Sequence, residues 1–206
     1  MKEIDRSTWS REPHFQFFRT FRDPFFDVSS RIDVTGLVAQ ARVEKLGLFA
    51  AFMHVILTAA NEIPEFRLRF RGEQVFEIPA CHSSFTFMGD NGLFNYATTE
   101  YHEDRQVFAE RVRKAAAEKK HLKRLNLDDD QSLELVYCTS LPWTDILGVS
   151  HAFSGKEDDC FPRITWGRIV ATEDGFEVTL QVTAHHGLVD GHHTARLIER
   201  VRELTC

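Results

Sequence analysis

The chain has 206 residues, 43% of them apolar, with 31 acidic against 25 basic side chains and a formal net charge of −6. That length suits one large domain with ample material for a core, and the acidic balance, with no basic cluster interleaved with aromatics, argues against a nucleic-acid partner. The longest apolar stretch, 46–60, holds His54 and falls short of the roughly 20 residues that cross a bilayer, and the opening MKEIDRSTW has no apolar signal core, so no membrane association and a cytoplasmic location are expected.

In chain order, Asp33 or Thr35 can cap a helix running to about Lys45. Residues 48–61 read as a second, largely buried helix, ended by Pro64, which restricts the residue before it. Segments 66–70 and 74–78 form a hairpin around Arg71-Gly72-Glu73, and strands follow at 84–88 and 94–98. A helix begins near Glu103, with Val107, Phe108, Val112, Ala115 and Ala116 as its apolar stripe; Lys114, Lys119, Lys120, Lys123 and Arg124 form a solvated face. Asp128 to Asp130 make an exposed acidic connection, without chemistry, to a strand at 133–138. A strand at 164–171 returns through Glu173-Asp174-Gly175 into Phe176, Val178, Leu180 and Val182, which alternate with polar residues as a strand with one apolar face. Leu197, Val201 and Leu204 then repeat at helical spacing. Without repeats or a Gly/Pro-rich linker, 1–206 reads as a single domain of α+β class, a two-layer arrangement of a mixed β-sheet covered by helices.

Between the last strand and the last helix, residues 185–191 read HHGLVDG. The histidines end a strand, and Asp190-Gly191 supplies a turn and a carboxylate just ahead of the helix. A neutral imidazole, with an ordinary pKa of about 6.5, accepts a proton near neutral pH once its tautomer is fixed. Simple packing is the alternative for histidines in apolar surroundings. A metal site is the third, because His185, His186, Asp190, His192 and His193 crowd into nine positions. Adjacent strand residues point to opposite faces, and Cys81, Cys138, Cys160 and Cys206 lack paired metal spacing, so no metal is assigned and the cysteines are expected to be reduced. His185, His192 and His193 stay open between packing, support of a neighbour and exposure.

With these residues the sequence resembles, nearly end to end, the type A chloramphenicol acetyltransferase family. In that family the second histidine of HHxxxDG is the general base, which makes His186 the catalytic candidate, while Asp190 pairs with an N-terminal arginine. That arginine is matched by Arg11, in a segment from Trp9 to Arg19 similar to the signature W-x-R-x-x-H-F-x-F-Y-R. Thr139-Ser140-Leu141-Pro142-Trp143 is similar to S-x-L-P-W, whose first hydroxyl stabilises the tetrahedral intermediate. Pro162 to Trp166 resembles the strand whose threonine, here Thr165, holds an active-site water.

Two departures stand out. Thr139 replaces the usual serine, keeping the hydroxyl but stiffening its rotamer. Phe18 stands where enzymes that modify chloramphenicol well carry tyrosine, which removes a hydroxyl near the acceptor. The related acyltransferase cores of 2-oxo acid dehydrogenases have a basic residue after the histidine that this chain lacks.

The resemblance implies a CoA-dependent acyltransferase fold and a homotrimer with active sites between subunits. It also implies acetyl-CoA as co-substrate, no permanently bound cofactor, and chloramphenicol or a related alcohol as acceptor. No phosphate-binding loop of the G-x-x-x-x-G-K-[ST] or G-x-G-x-x-G kind supports acetyl-CoA independently. His186 would take the acceptor's proton and Thr139 would donate to the oxyanion. Of the 18 phenylalanines most must be core, while Phe17, Phe18, Phe25, Phe26 and Phe94 are assigned to an acceptor pocket. Two rival functions remain: a weak homologue that binds hydrophobic ligands or acetylates another alcohol, and a metal-binding protein.

Overall fold

The computed structural model describes residues 1–122, 125, 132–153, 155 and 158–206. The acidic run 128–130 and the basic pair Lys123 and Arg124 lie outside the described residues. In chain order come β1 (Lys2–Glu3), α1 (Glu12–Phe18), β2 (Phe25–Asp33), α2 (Thr35–Glu44) and α3 (Leu48–Glu62). A 3-10 turn (Pro64–Arg67) leads to β3 (Leu68–Arg71), β4 (Gln74–Glu77), β5 (His82–Met88), β6 (Phe94–Thr99) and α4 (Arg105–Lys119). The chain then forms β7 (Leu135–Ser140), β8 (Arg163–Trp166), β9 (Val170–Ala171), β10 (Phe176–His185) and α5 (Gly191–Thr205). Strands β2, β10, β8, β7, β5 and β6 lie side by side in one mixed sheet, parallel only at β5–β7 and β7–β8, with β9 paired to β10. A small sheet, β1-β4-β3, stands apart.

Helices α2 to α5 sit close to where the sequence pattern places them, for local reasons. Nearly all of α3 is apolar, so it is buried almost all round, and its end at Ile63 takes the extended backbone that Pro64 demands. Asp104 caps α4 by accepting from the backbone of Gln106 and Val107. At α2 the N-cap is Val34, which has no side-chain oxygen; Asp33 Oδ1 instead accepts Thr35 N–H at 2.8 Å. The hairpin strand starts at Leu68 rather than 66, because Pro64 winds the preceding residues into the 3-10 turn. The strand expected over 164–171 breaks at Gly167, where the backbone runs so close to Ile146 that a Cβ would lie 3.1 Å from its nitrogen. It resumes as β9. Neither α1 nor β2 was expected from the sequence.

The largest difference concerns β10, which has two buried faces rather than one from Val178 onward. One face carries Val178, Leu180, Val182 and Ala184 into the main core. That layer also meets α3, through Phe52 against Trp166 and Ser83 Oγ against Met53 Sδ. The opposite face carries Thr179, Gln181 and Thr183, buried beneath residues of the β7–β8 connection. Gln181 accepts Val149 N–H and donates to Val149 O, both at 2.6 Å, and Thr179 donates to Asp145. The polar residues that look like a solvent face are a satisfied buried network.

Arg69, fully buried, donates to the carbonyls of Phe66, Leu68 and Leu135 and so ties the small sheet to β7. All four cysteines are free; Cys206 is exposed, and burial pushes the thiols of Cys81, Cys138 and Cys160 up, the last two to about 12 and about 11. Among the described residues no single helix is long and apolar enough to cross a membrane.

Candidate active site

β10 ends at the first histidine of the pair and the chain turns at once, with Leu188 N–H and Val189 N–H both donating to His185 O. His185 goes inward. It packs edge-on against Phe70 and Phe25, its Nδ1 accepts Gly187 N–H at 3.1 Å, and burial lowers its pKa to about 4, so it is uncharged at neutral pH. His186 is half-buried and points elsewhere. Its ring lies flat on Phe18, centroids 4.0 Å apart and planes within 3°, and Phe26 closes in at 4.5 Å. Its backbone N–H is held by Pro24 O at 2.8 Å. Among the described residues Nδ1 is buried without a hydrogen-bond partner.

Arg11 clamps this loop from the other end of the chain. One guanidinium donates to His186 O at 2.8 Å, to Gly187 O at 3.0 Å and to Asp190 Oδ2 at 2.8 Å. The other carboxylate oxygen of Asp190 caps α5 through His192 N–H and His193 N–H. Burial raises the Asp190 pKa, but the hydrogen bond from Arg11 and the neighbouring His193 outweigh it and bring the carboxyl down to about 2. The open histidines thus separate: His185 packs, His192 is exposed, and His193 accepts Asp190 N–H on Nδ1.

Thr139 lies near the end of β7, on the wall of a cavity of about 720 Å³ lined by Leu48, Phe94, Tyr96, Trp143 and Trp166. It pairs in register with Thr165, which pairs with Gln181, which pairs with Ser29. His186 is five residues beyond Gln181, so the two groups are displaced by roughly 17 Å along the strands and roughly 10 Å across two of them. They do not meet within one chain. Thr165 is fully buried, with its hydroxyl 3.1 Å from His151 Nε2.

The five assigned phenylalanines divide likewise. Phe18 and Phe26 flank His186, whereas Phe94 is on the Thr139 cavity and Phe17 is 59% exposed. Phe25 stacks on Phe153 in a second cavity of about 780 Å³, shared with Arg19, Arg22, Asp159 and His185. Sequence reasoning passed over Glu65, 3.4 Å from His193 Nε2, and His151; neither belongs to a local motif. Among the described residues no group of three or more His, Cys, Asp or Glu side chains is placed to hold a metal ion.

Comparison with known proteins gives this geometry its context. The sequence profile described as chloramphenicol acetyltransferase matches residues 1–202. Chloramphenicol acetyltransferase 2 of Escherichia coli is 26% identical over 98% of this chain and 95% of its own length; chloramphenicol acetyltransferase of Clostridium perfringens is 23% identical over 98% and 93%. A solved chloramphenicol acetyltransferase superposes with a TM-score of 0.87 at 23% identity, covering 98% of both chains. The cubic core of the pyruvate dehydrogenase multienzyme complex superposes with a TM-score of 0.67 at 16% identity, over 93% of this chain and 85% of that one. Those superpositions speak for the shared acyltransferase fold, and the profile match carries the assignment: the chain belongs to the chloramphenicol acetyltransferase family, and with it to the acetyl-CoA-dependent O-acetyltransferases.

Proposed function

We propose that the protein moves an acetyl group from acetyl-CoA to a hydroxyl of chloramphenicol or a related alcohol, as a single cytoplasmic acyltransferase domain working in a homotrimer. His186 of one copy faces Thr139 of another. His186 Nε2 takes the acceptor's proton as its oxygen forms a bond to the thioester carbonyl carbon. The tetrahedral oxyanion then collapses, the carbon–sulfur bond breaks, and the departing thiolate receives the proton from the imidazolium. Thr139 donates to the oxyanion, an interaction worth about 2.7 to 4 kcal/mol in comparable sites. Holding the two substrates together contributes more, about 7 to 11 kcal/mol. Thr165, its hydroxyl oriented by His151, supports the intermediate through a water. Arg11 and Asp190 keep the base in place rather than relaying charge.

The observation that carries this reading is the fixed imidazole: stacked on Phe18, backed by Phe26, and held through its own carbonyl by Arg11. The separation of His186 from Thr139 along the sheet supports a site completed by a second copy, and the apolar cavity beside Thr139 suits the thioester arm of the donor. Phe18 and Phe26 would bound the acceptor from the histidine side and Phe94 from the other.

Thiol release from acetyl-CoA, measured with chloramphenicol and then with a panel of polar alcohols, tests the reaction; no release with any acceptor overturns it. Refolding inactive His186→Ala together with inactive Thr139→Ala tests the shared site. Mixed assemblies regain activity when base and hydroxyl come from different copies, and stay inactive when one chain must supply both.

A further inference from the structure

Beyond Arg11, a second anchor reaches the histidine loop. His193 occupies the N3 position of α5, where a capping box ordinarily has Glu or Gln. Its Nδ1 accepts the backbone N–H of Asp190 at 3.1 Å and lies 3.0 Å from Asp190 Oδ1. An imidazole that accepts on Nδ1 carries its proton on Nε2, and that nitrogen faces Glu65 Oε1 at 3.4 Å. Glu65 belongs to the 3-10 turn after α3, not to the loop or its helix. Its other oxygen, Oε2, is buried without a hydrogen bond among the described residues, and Arg196 approaches it only to 3.8 Å. The side chain of His193 is 13% exposed and that of Glu65 26%. Burial lowers the His193 pKa against the pull of Glu65 and Asp190, with Arg11 and His192 adding to the lowering, which agrees with a neutral ring that can accept on Nδ1.

We infer that Glu65 and His193 act as one positioning unit for the acyl transfer assigned to His186: Glu65 orients the His193 ring, and the ring holds the Asp190 end of the loop that Arg11 holds at residues 186 and 187. Arg11 grips carbonyls and a carboxylate from one side, while His193 grips the backbone N–H of Asp190 from the other. With both in place, the turn between His186 and Asp190 has fixed ends. Neither Glu65 nor His193 touches the reacting atoms.

This inference rests on the acetyl transfer proposed above, and steady-state kinetics on the full-length protein separate the two. Wild type without thiol release with any alcohol removes the reaction itself; an active wild type with unaffected variants removes only the positioning unit. His193→Asn keeps an acceptor for Asp190 N–H but is too short to reach Glu65, and Glu65→Ala removes the other half. Each is expected to lower kcat by about 10-fold, with KM for acetyl-CoA changed less than about 2-fold, the signature of a displaced base rather than a lost binding contact. The double variant should be no slower than either single one, because the two residues act as a unit. Glu65→Gln, which keeps an acceptor for Nε2–H, should recover most of the loss in Glu65→Ala. Thermal midpoints, measured alongside, restrict the comparison to folded protein. Wild-type kcat in His193→Asn would mean that the ring only caps α5, and multiplicative losses in the double variant would mean that the residues act separately; either result overturns the unit.

Discussion

The histidine loop and the Thr139 end of β7 are held in opposite ways. His186 is fixed by contacts from far along the chain: Arg11, 175 residues away, on its carbonyl, and Phe18 and Phe26 on its ring. Thr139 is placed by ladder register, next to Thr165, and lines a cavity. A proton acceptor must present one nitrogen in one tautomer, so its orientation has to be imposed. A hydroxyl that donates to a developing charge can rotate to suit, so a strand position is enough. The general lesson is that the group with the stricter geometry recruits the longer-range support.

Substitutions can break that contrast, beginning with the largest effect. His186→Ala should lower kcat by about 10²- to 10⁴-fold with an unchanged thermal midpoint, as read by thiol release and melting. A loss under 10-fold would remove the base from this residue. Thr139→Ala should cost about 10²- to 10³-fold, again without loss of stability, and Thr139→Ser should restore most of it. Arg11→Ala differs in kind: it frees two carbonyls and the Asp190 carboxylate together, so it should slow turnover and also destabilise the fold by roughly 2 to 3 kcal/mol, seen as a lower denaturant midpoint. Asp190→Ala should behave alike. Equal stability with lost activity would contradict the clamp.

A change of pH sharpens the same comparison. His185 is neutral and buried, with a folded pKa of about 4 against an ordinary value of 6.5. Between those values the unfolded chain binds the proton more readily, so stability should fall as pH drops from about 6.5 towards 4 and level off below, by roughly 3 kcal/mol in all. His185→Gln should flatten that part of the profile; an unchanged slope would place the titration elsewhere. The smallest effect expected is that of Phe18→Tyr, which adds a hydroxyl to the ring stacked on His186. It should alter KM for chloramphenicol by a factor of a few and leave KM for acetyl-CoA alone, a difference that separate saturation curves resolve.

The loop that carries the candidate site is legible in the sequence because it is written locally. HHGLVDG, the cap at Asp190 and the stripe of α5 fall within about 20 consecutive positions, and strand, turn and helix follow from their spacing. In β2, Phe26, Val28, Ser30 and Ile32 alternate, but Ser30 interrupts the apolar face, where it receives a hydrogen bond from Arg202. Helix α1 is only seven residues long with a proline at its start, too short to show a stripe. Glu65 and the distance between Thr139 and His186 depend on which elements become neighbours and in what register. Neither can be read from a segment in isolation. The burial of the Gln181 face belongs with these, because period-two polarity looks the same whether water or a well-bonded loop lies above it.

The four cysteines make this chain convenient to watch. Three thiols are sealed in the core with their acidities suppressed, and the fourth, Cys206, is exposed at the end of α5. A maleimide dye should therefore attach at a single address without mutagenesis. Chains tagged separately with a donor and an acceptor fluorophore could then report, by energy transfer, whether copies associate and how quickly they exchange.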